Sequence, residues 1–419
     1  MAWWWTLAAV AIVMALWVQT RIYELHPHPG QTLCEARKVG LVIVGHGVVS
    51  RGLIAAIVAH EATTNQRVDF CGARLHIVAV GDATAGGFMQ VSTGFSMPQA
   101  QALYTHGVES ATLEDGDDNE IERVGTLGDV VMSMLLFGHC DRYIVVDCAA
   151  HGGHWKDLVL AKKSGFGLAF SNRLHLTGDY NETYARIALD RSQKRSRLVA
   201  YEATVGSGLP VLHTLERVAA TGDHVHRVEA RFSDANAYIL DAIHHGSSWS
   251  DAVISAYENG LTEADPRDDL SGRVAARKMV ILARQLGYKA NLASVHVQDL
   301  VPAAMRNVSL SAFFAHLPQL DHEFEAQMNK SKETETILMY TGRVDGLGHI
   351  AVGLERYPRT SSFHRLLWTE SVVAITTTWF PDAIVLKGAG AGTNGTVAAL
   401  MADIAKLSCV LFTSCDVDS

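Results

Sequence analysis

KVGLVIVGHGVVSRGLIAAIVAH, residues 38–60, opens with a short unbroken run of aliphatic residues, reaches glycine at Gly45 and continues into a helical pattern. A continuous apolar run of this length, stopped by glycine, reads as a buried strand feeding a helix. The alternation continues with RLHIVAVGD (Arg74 to Asp82), an amphipathic region around Leu127 to Phe137, RYIVVDC (Arg142 to Cys148) and FGLAFSN (Phe166 to Asn172). Strands separated by helical stretches imply βαβ units and a parallel sheet, hence an α/β fold. The acidic stretch EDGDDNEIE (Glu114 to Glu122) has no apolar period and is expected to be a solvated loop.

Beyond YEATVGSGLPVL the texture changes. SWSDAVISAYENG and RVAARKMVILARQLG read as helices, the second stopped by Gly287. ILMYTGRVDGLGHIAVGLERY reads as a hairpin, because alternating apolar positions flank Asp345-Gly346. Strands SVVAITT and AIVLK, a Gly-rich turn and a last helix follow. This is a second, α+β domain.

Composition narrows the function. With 419 residues, 48% apolar and 19% charged, the chain can bury the cores of two domains. The net charge of −9 and the absence of a clustered basic face argue against nucleic-acid binding. The six cysteines, Cys34, Cys71, Cys140, Cys148, Cys409 and Cys415, show no C-x-x-C spacing and read as reduced core thiols. His26 and His28 in HPHP and His151 and His154 in HGGH lack the i,i+4 spacing of a zinc hydrolase, so they read as structural or solvent-facing. Residues 2–18 are apolar except for Thr6, and Trp3 to Trp5 suit a membrane interface. They are expected to form a short anchor with the folded part facing the cytoplasm; as an extension upstream of the true start they would leave a soluble cytoplasmic protein.

The chemistry begins at Gly45-His46-Gly47-Val48-Val49-Ser50, where the first strand meets its helix. The first glycine permits a tight turn, the second a close approach of backbone to a pyrophosphate, and the helix start presents unpaired N–H groups. Gly45, Gly47, Val48 and Val49 are therefore candidate dinucleotide contacts. Asp82, ending the next strand, is placed to accept from a ribose 2′-OH. No arginine follows closely to hold a 2′-phosphate, which tilts the reading towards NAD over NADP.

Four blocks then occur in a telling order: YEATVGSGLP (201–210), LTEADPRDDLSGRVAARK (261–278), the GRVD hairpin, and KGAGAGTNGTVAALMADI (387–404). In their order and spacing the chain resembles the homoserine dehydrogenases, of the fungal monofunctional type without a regulatory C-terminal domain, over roughly residues 38–408. The resemblance implies a Rossmann-type nucleotide-binding domain (38–208 plus 388–419) enclosing a substrate and dimerisation domain (209–387), after an N-terminal segment and linker (1–37). It implies an NAD- or NADP-dependent interconversion of L-aspartate 4-semialdehyde and L-homoserine, in threonine and methionine biosynthesis, by a homodimer.

Residue by residue, the resemblance gives Glu263 the substrate ammonium, Asp269 a place near the alcohol, and Lys278 the role of acid/base. Anions suit an amino-acid cation, and burial can bring a lysine towards general-base range. Read without the family, Arg267, Asp268 and Asp269 are equally a charge cluster at a helix start. Glu202 with the carbonyls of Val205, Ser207 and Leu209 would form a monovalent-cation site for sodium, an oxygen shell suiting a hard cation; Glu202 capping a buried turn is the competing account. Ala149 would lie by the nicotinamide ribose, where the family carries threonine, and Gly392 in the GAGAG turn would approach the cofactor.

Three further positions depart from the pattern. Arg173 stands where the family has a lysine, and an arginine holds a carboxylate or oxyanion but does not accept a proton. Asp234-Ala235 replaces a Gly-Thr loop, and Val274 replaces an aspartate one turn before Lys278. These changes leave room for a diverged enzyme acting on another small amino-acid-derived aldehyde or alcohol, or for a non-catalytic NAD-binding partner protein.

Overall fold

The computed structural model describes residues 37–62, 71–82, 86–110, 121–189, 196–364, 366–390 and 392–413. The expectations for residues 2–18, His26, His28, Cys34 and Cys415 fall outside these. The chain divides into two compact units, one running up to Leu176 with Asn181–Tyr201 and the chain from Leu400, the other comprising Thr177–Tyr180 and Glu202–Ala399.

The first unit is built on a seven-stranded sheet ordered β4-β3-β2-β1-β5-β6-β7. Its strands are β1 (Arg37–Val44), β2 (Ala73–Asp82), β3 (Gly87–Gln90), β4 (Glu122–Val124), β5 (Arg142–Asp147), β6 (Gly167–Phe170) and β7 (Val199–Ala200). The strands read from apolar runs pair in parallel, β2 with β1, β1 with β5 and β5 with β6, and the two-residue β7 adds a further parallel strand beside β6. Val39, Leu41, Val42 and Ile43 have no exposed surface, as expected of a strand covered on both faces. β3 and β4 add an antiparallel edge that the sequence did not announce. Glu122, at the end of the acidic stretch expected to be loop, opens β4, where its carboxylate accepts from Gln90 Nε2 at 2.6 Å.

Two helices of this unit carry legible signals. Leu127–Phe137 begins at a capping box, Thr126 and Asp129 exchanging side-chain and backbone hydrogen bonds. The last helix, Thr393–Thr413, contains a 20-residue stretch long and apolar enough to cross a membrane, yet half of that stretch is buried inside the protein. Leu400, Ile404, Leu407 and Leu411 recur at helical spacing and are buried, the signature of a core helix. Leu407 and Leu411 lie over Gly167 on β6, where a Cβ would stand 3.5–3.6 Å from them, in ordinary contact, and 3.1 Å from Ile144.

One expectation is overturned here. Cys71 and Cys409, read as reduced thiols, are joined in a disulfide across a sequence separation of 338. Pairing of residues so distant follows from the fold and leaves no local spacing to read. Cys140 and Cys148 are free; burial pushes both thiols up to about 12, so neither is a reactive thiolate at neutral pH.

The second unit carries a six-stranded sheet ordered β13-β12-β8-β10-β11-β9. Its strands are β8 (Val225–Arg231), β9 (His296–Val297), β10 (Thr336–Asp345), β11 (Ile350–Pro358), β12 (Glu370–Thr377) and β13 (Ile384–Ala389). The expected hairpin is β10–β11, and the Asp345 carboxylate closes its turn by accepting from the amides of Leu347 and His349, each at 2.9 Å. Helices Trp249–Glu258 and Arg273–Gln285 stand where the sequence placed them, the first capped by Ser248. The second lies close to β10, since a Cβ on Gly342 would fall 2.4 Å from Met279. That approach fixes the helix face carrying Lys278.

Candidate active site

In the first unit, β1 is the point where the strand order reverses: the chain runs from β1 to β2 on one side and later to β5 on the other. Ligands of open α/β sheets bind outside the carboxyl ends of the strands at such a point. The register places Val44 opposite Gly81 and Asp147, so Gly45, Asp82 and Ala149 leave the sheet at one edge. Gly45 has a φ of +98°, and a Cβ there would sit 2.9 Å from the carbonyl carbon and oxygen of Cys148. Only glycine fits. Gly47 differs, with nothing within 4 Å of a Cβ, which leaves open space at the start of helix Val48–Ala62. Val48 is 61% exposed at that start, and Val49 is half-buried beside it.

The other candidate residues of this half-site lie in company the sequence did not suggest. The buried Asp82 carboxylate is engaged by His151 Nε2, at 2.7 Å and 2.8 Å from its two oxygens, so a ribose would share it with an imidazole. The Ala149 amide donates to Asp147 Oδ1 at 3.0 Å. Arg173 follows Asn172, whose side chain donates to the His151 carbonyl at 2.8 Å. Asp147 itself is fully buried against His154 and His175, and burial takes the His175 imidazole down to about 4.

In the second unit Glu263, Asp269 and Lys278 line one cavity of about 260 Å³ together with Asp234, Ala235 and Val274, so two of the departures from the family pattern lie in that pocket, whereas Arg173 is not among its lining residues. Lys278, on helix Arg273–Gln285, donates from Nζ to the Phe232 carbonyl at 2.8 Å, and its ammonium lies 5.3 Å from the Phe232 ring centre. Burial raises the Asp234 carboxyl above its ordinary range, with Lys278 and Arg231 opposing. Burial likewise lifts Asp269 to about 6; the Glu263 amide opposes this, and the charges of Glu263, Asp268 and Asp234 add to it.

The charge cluster read at Arg267, Asp268 and Asp269 forms instead between Arg267 and Asp265. Asp265 caps helix Pro266–Leu270 and pairs with Arg267 at 2.6 Å, and Arg267 also donates to the carbonyls of Met305, Arg306 and Val308. Those two form the structural cluster, whereas Asp269 faces the cavity. Asn236 is the residue the sequence missed. It lines the cavity, is 1% exposed, donates from Nδ2 to the Asp269 carbonyl at 3.1 Å, and leaves its Oδ1 without a partner. The signal was Ser233, which caps helix Asp234–His244 through the Asn236 amide and so fixes where that side chain starts.

In the turn that carries the candidate cation ligands, Glu202 caps a helix. Both Glu202 oxygens accept at 2.8 Å from the first turn of helix Val211–Ala220, Oε1 from the Leu212 amide and Oε2 from the His213 amide. The Leu209 carbonyl accepts from Val211 at 2.8 Å, and Val205 is buried in the same turn. Ser207, at φ +56°, directs its hydroxyl to the Gly392 carbonyl and to Thr396 Oγ1, each at 3.4 Å. A Cβ on Gly395 would meet Ser207 Oγ at 2.6 Å, so the 201–210 turn and the start of the last helix meet through small residues.

A family model described as homoserine dehydrogenase matches residues 210–405, a span that includes the whole cavity. The Escherichia coli bifunctional aspartokinase/homoserine dehydrogenase 2 is 28% identical over 410 residues, covering 97% of this chain and 47% of that protein. The chain is similar to the homoserine dehydrogenases. It spans less than half the length of the bifunctional homoserine dehydrogenases it matches first. In fold it is similar to the crystal structure of a Candida auris protein of unknown function, at 26% identity and a TM-score of 0.73, covering 88% of this chain and 98% of that one. A hyperthermophilic archaeal homoserine dehydrogenase solved in complex with NADPH shares the fold at 19% identity and a TM-score of 0.64, covering 89% and 98%.

Proposed function

We propose that this homoserine dehydrogenase homologue is an NAD(P)-dependent oxidoreductase interconverting L-homoserine and L-aspartate 4-semialdehyde. The observation that carries the proposal is the convergence of Lys278, Glu263, Asp269 and Asn236 on one cavity. The nicotinamide, when bound at the carboxyl edge of β1, β2 and β5, supplies the hydride acceptor. In the oxidative direction Lys278 takes the hydroxyl proton, from a position fixed by the Phe232 carbonyl. Glu263 offers negative charge to the substrate ammonium, the unpartnered Asn236 Oδ1 accepts one of its hydrogens, and Asp269 adds its charge to the cavity near the alcohol. Arg173 supplies a permanent positive charge for a carboxylate, a task a guanidinium performs well and a proton transfer it does not perform.

A second reading, a changed small amino-acid-derived substrate, is favoured by Asp234, Ala235 and Val274 lying in the same cavity. Purified protein lacking residues 1–30, offered aspartate semialdehyde with NADH and separately NADPH, decides between them. Rapid nicotinamide oxidation carries the first reading. Tight cofactor binding with turnover only of another aldehyde carries the second, and cofactor binding with no turnover of any aldehyde overturns both in favour of a non-catalytic partner protein.

Finer features belong to the same proposal. NAD is preferred over NADP; the chain is an enzyme of fungal type that pairs as a homodimer through its second sheet, tested by sedimentation. Sodium binds the 202–209 turn through carbonyl lone pairs left by the caps, tested by melting in sodium against choline chloride. Residues 2–18 anchor a cytoplasmic-facing enzyme. The Cys71–Cys409 bridge, of a kind rare in reducing compartments, stands against a cytoplasmic location, and fractionation of the full chain tests it.

A further inference from the structure

We propose that Asp147, His154 and His175 form a site for a tetrahedral divalent transition ion, with zinc the best fit. The three residues are 0%, 7% and 2% exposed. Each offers one atom to a common point: Asp147 Oδ2, His154 Nε2 and His175 Nε2. His154 Nε2 lies 3.3 Å from Asp147 Oδ2, His175 Nε2 lies 3.3 Å from the same oxygen, and the two imidazole nitrogens are 3.3 Å apart. Three donor atoms thus mark an equilateral triangle.

Hydrogen bonding does not account for this triangle. All three edges exceed the 2.7–3.2 Å usual for N–H···O contacts. One Nε2 hydrogen serves one edge, and hydrogens on both nitrogens would set two donors against each other. At least one edge is left without a proton in every assignment. A cation bound to all three lone pairs satisfies the whole set. Zinc holds its ligands at 2.0–2.1 Å, and tetrahedral geometry then sets neighbouring ligand atoms about 3.3–3.4 Å apart, the spacing seen here. An octahedral ion at the same bond length would bring them to about 3.0 Å.

The donor set selects among metals. Two imidazoles and a carboxylate suit zinc or cobalt and disfavour sodium or magnesium, which take oxygen. The surroundings brace the carboxylate as an outer shell does: the Ala149 amide donates to Oδ1 at 3.0 Å, and Asn172 Nδ2 approaches Oδ2 at 3.3 Å. His154 Nδ1 has no such brace, which places the affinity below that of fully braced sites. Three protein ligands leave the fourth position to water or another small donor. The ion would tie the loop after β5 to the segment after β6, two stretches that share the carboxyl edge of the sheet.

The test uses the full chain produced in zinc- or cobalt-supplemented minimal medium. Elemental analysis is expected to give one ion per chain, and the cobalt form intense visible bands of tetrahedral type without sulfur-to-metal charge transfer. His154→Ala and His175→Ala are expected to fall to background, while Cys148→Ser retains the ion. A metal-free protein, weak octahedral bands, a sulfur charge-transfer band or undiminished metal in His175→Ala each overturns the site. The spectrum of the unaltered chain decides the matter even where a variant fails to fold.

Discussion

The backbone amide of Glu263 donates a 2.8 Å hydrogen bond to Asp269 Oδ2, so two acidic side chains are held at one cavity wall by a contact that itself favours the ionised carboxylate. Burial outweighs that contact and sets Asp269 near 6. A folded-state value above the unfolded one means the native state binds the proton more tightly. Stability from this group is therefore greatest at low pH, falls as pH rises from about 4 to about 6, and is flat above. Binding of an ammonium substrate runs the opposite way, strengthening as Asp269 ionises through pH 6. Melting temperature and KM measured from pH 5 to 8 should cross in this manner, and Asp269→Asn should flatten both curves. A KM independent of pH in the unaltered protein would remove Asp269 from substrate binding.

Lys278 should be separable from cofactor binding. Lys278→Ala removes the proton acceptor proposed for the hydroxyl, and general-base loss is worth about 10²–10⁴-fold in turnover. The glycine turn and helix start of the first unit are untouched, so nicotinamide affinity, read by fluorescence titration, is expected to stay within about twofold. Lys278→Arg should be nearly as inactive, because a guanidinium keeps its proton. Turnover surviving in either variant would exclude the assigned role.

The two glycines of the first turn should answer differently to a methyl group. Gly45→Ala places a Cβ 2.9 Å from the Cys148 backbone at a φ of +98°, and such strain costs about 1–3 kcal/mol. It should melt early with or without cofactor. Gly47→Ala meets nothing within 4 Å, so the apo protein should melt as before while NAD(P) affinity drops, if the cofactor's pyrophosphate occupies that open space. Unchanged affinity in Gly47→Ala would mean the dinucleotide lies elsewhere.

The parts of the fold legible in the sequence are those where burial dictates the pattern over several residues. β1, β2, β5 and β6 are continuous apolar runs because helices and neighbouring strands cover them, and β10–β11 alternates around a turn with its own carboxylate cap. β3 and β4 escaped because four and three residues are too few to show a period, and Glu122 is a strand residue only through Gln90. The cavity wall was legible through Glu263, Asp269 and Lys278, whose spacing repeats a family block. Asn236 was not, since an amide becomes informative only once burial strips one of its atoms of partners. Asp147, His154 and His175 lie 7 and 21 residues apart along the chain, at the end of β5, in the stretch after it and in the short helix after β6, and no local spacing connects them.

Glu202 offers a test in which a cap and an ion make different predictions. Its carboxylate accepts two amide hydrogens from helix Val211–Ala220, and removing such a cap costs about 0.5–2 kcal/mol. Glu202→Gln keeps one acceptor and loses the charge that favours a helix start, so it should fall between the unaltered chain and Glu202→Ala. If the cap is the whole role, this order is the same in sodium and in choline chloride. A gap that widens only in sodium carries the ion.

The Cys71–Cys409 bridge should hold the first unit together by limiting its unfolded chain. A loop closed across 338 residues lowers the entropy of that chain by an amount worth about 6 kcal/mol in the chain-entropy relation, and removal of a native disulfide more commonly costs about 2–5 kcal/mol. Cys409 lies on the same helix as Leu400, Ile404, Leu407 and Leu411, so losing the bridge loosens the helix that covers β5 and β6. Reductant should lower the melting temperature of the unaltered protein and leave Cys409→Ser unmoved. Thiol titration of the denatured chain should count two more groups after reduction than before. An equal count would mean that these cysteines are reduced in the isolated protein, and the stability of the first unit would then rest on its apolar core alone.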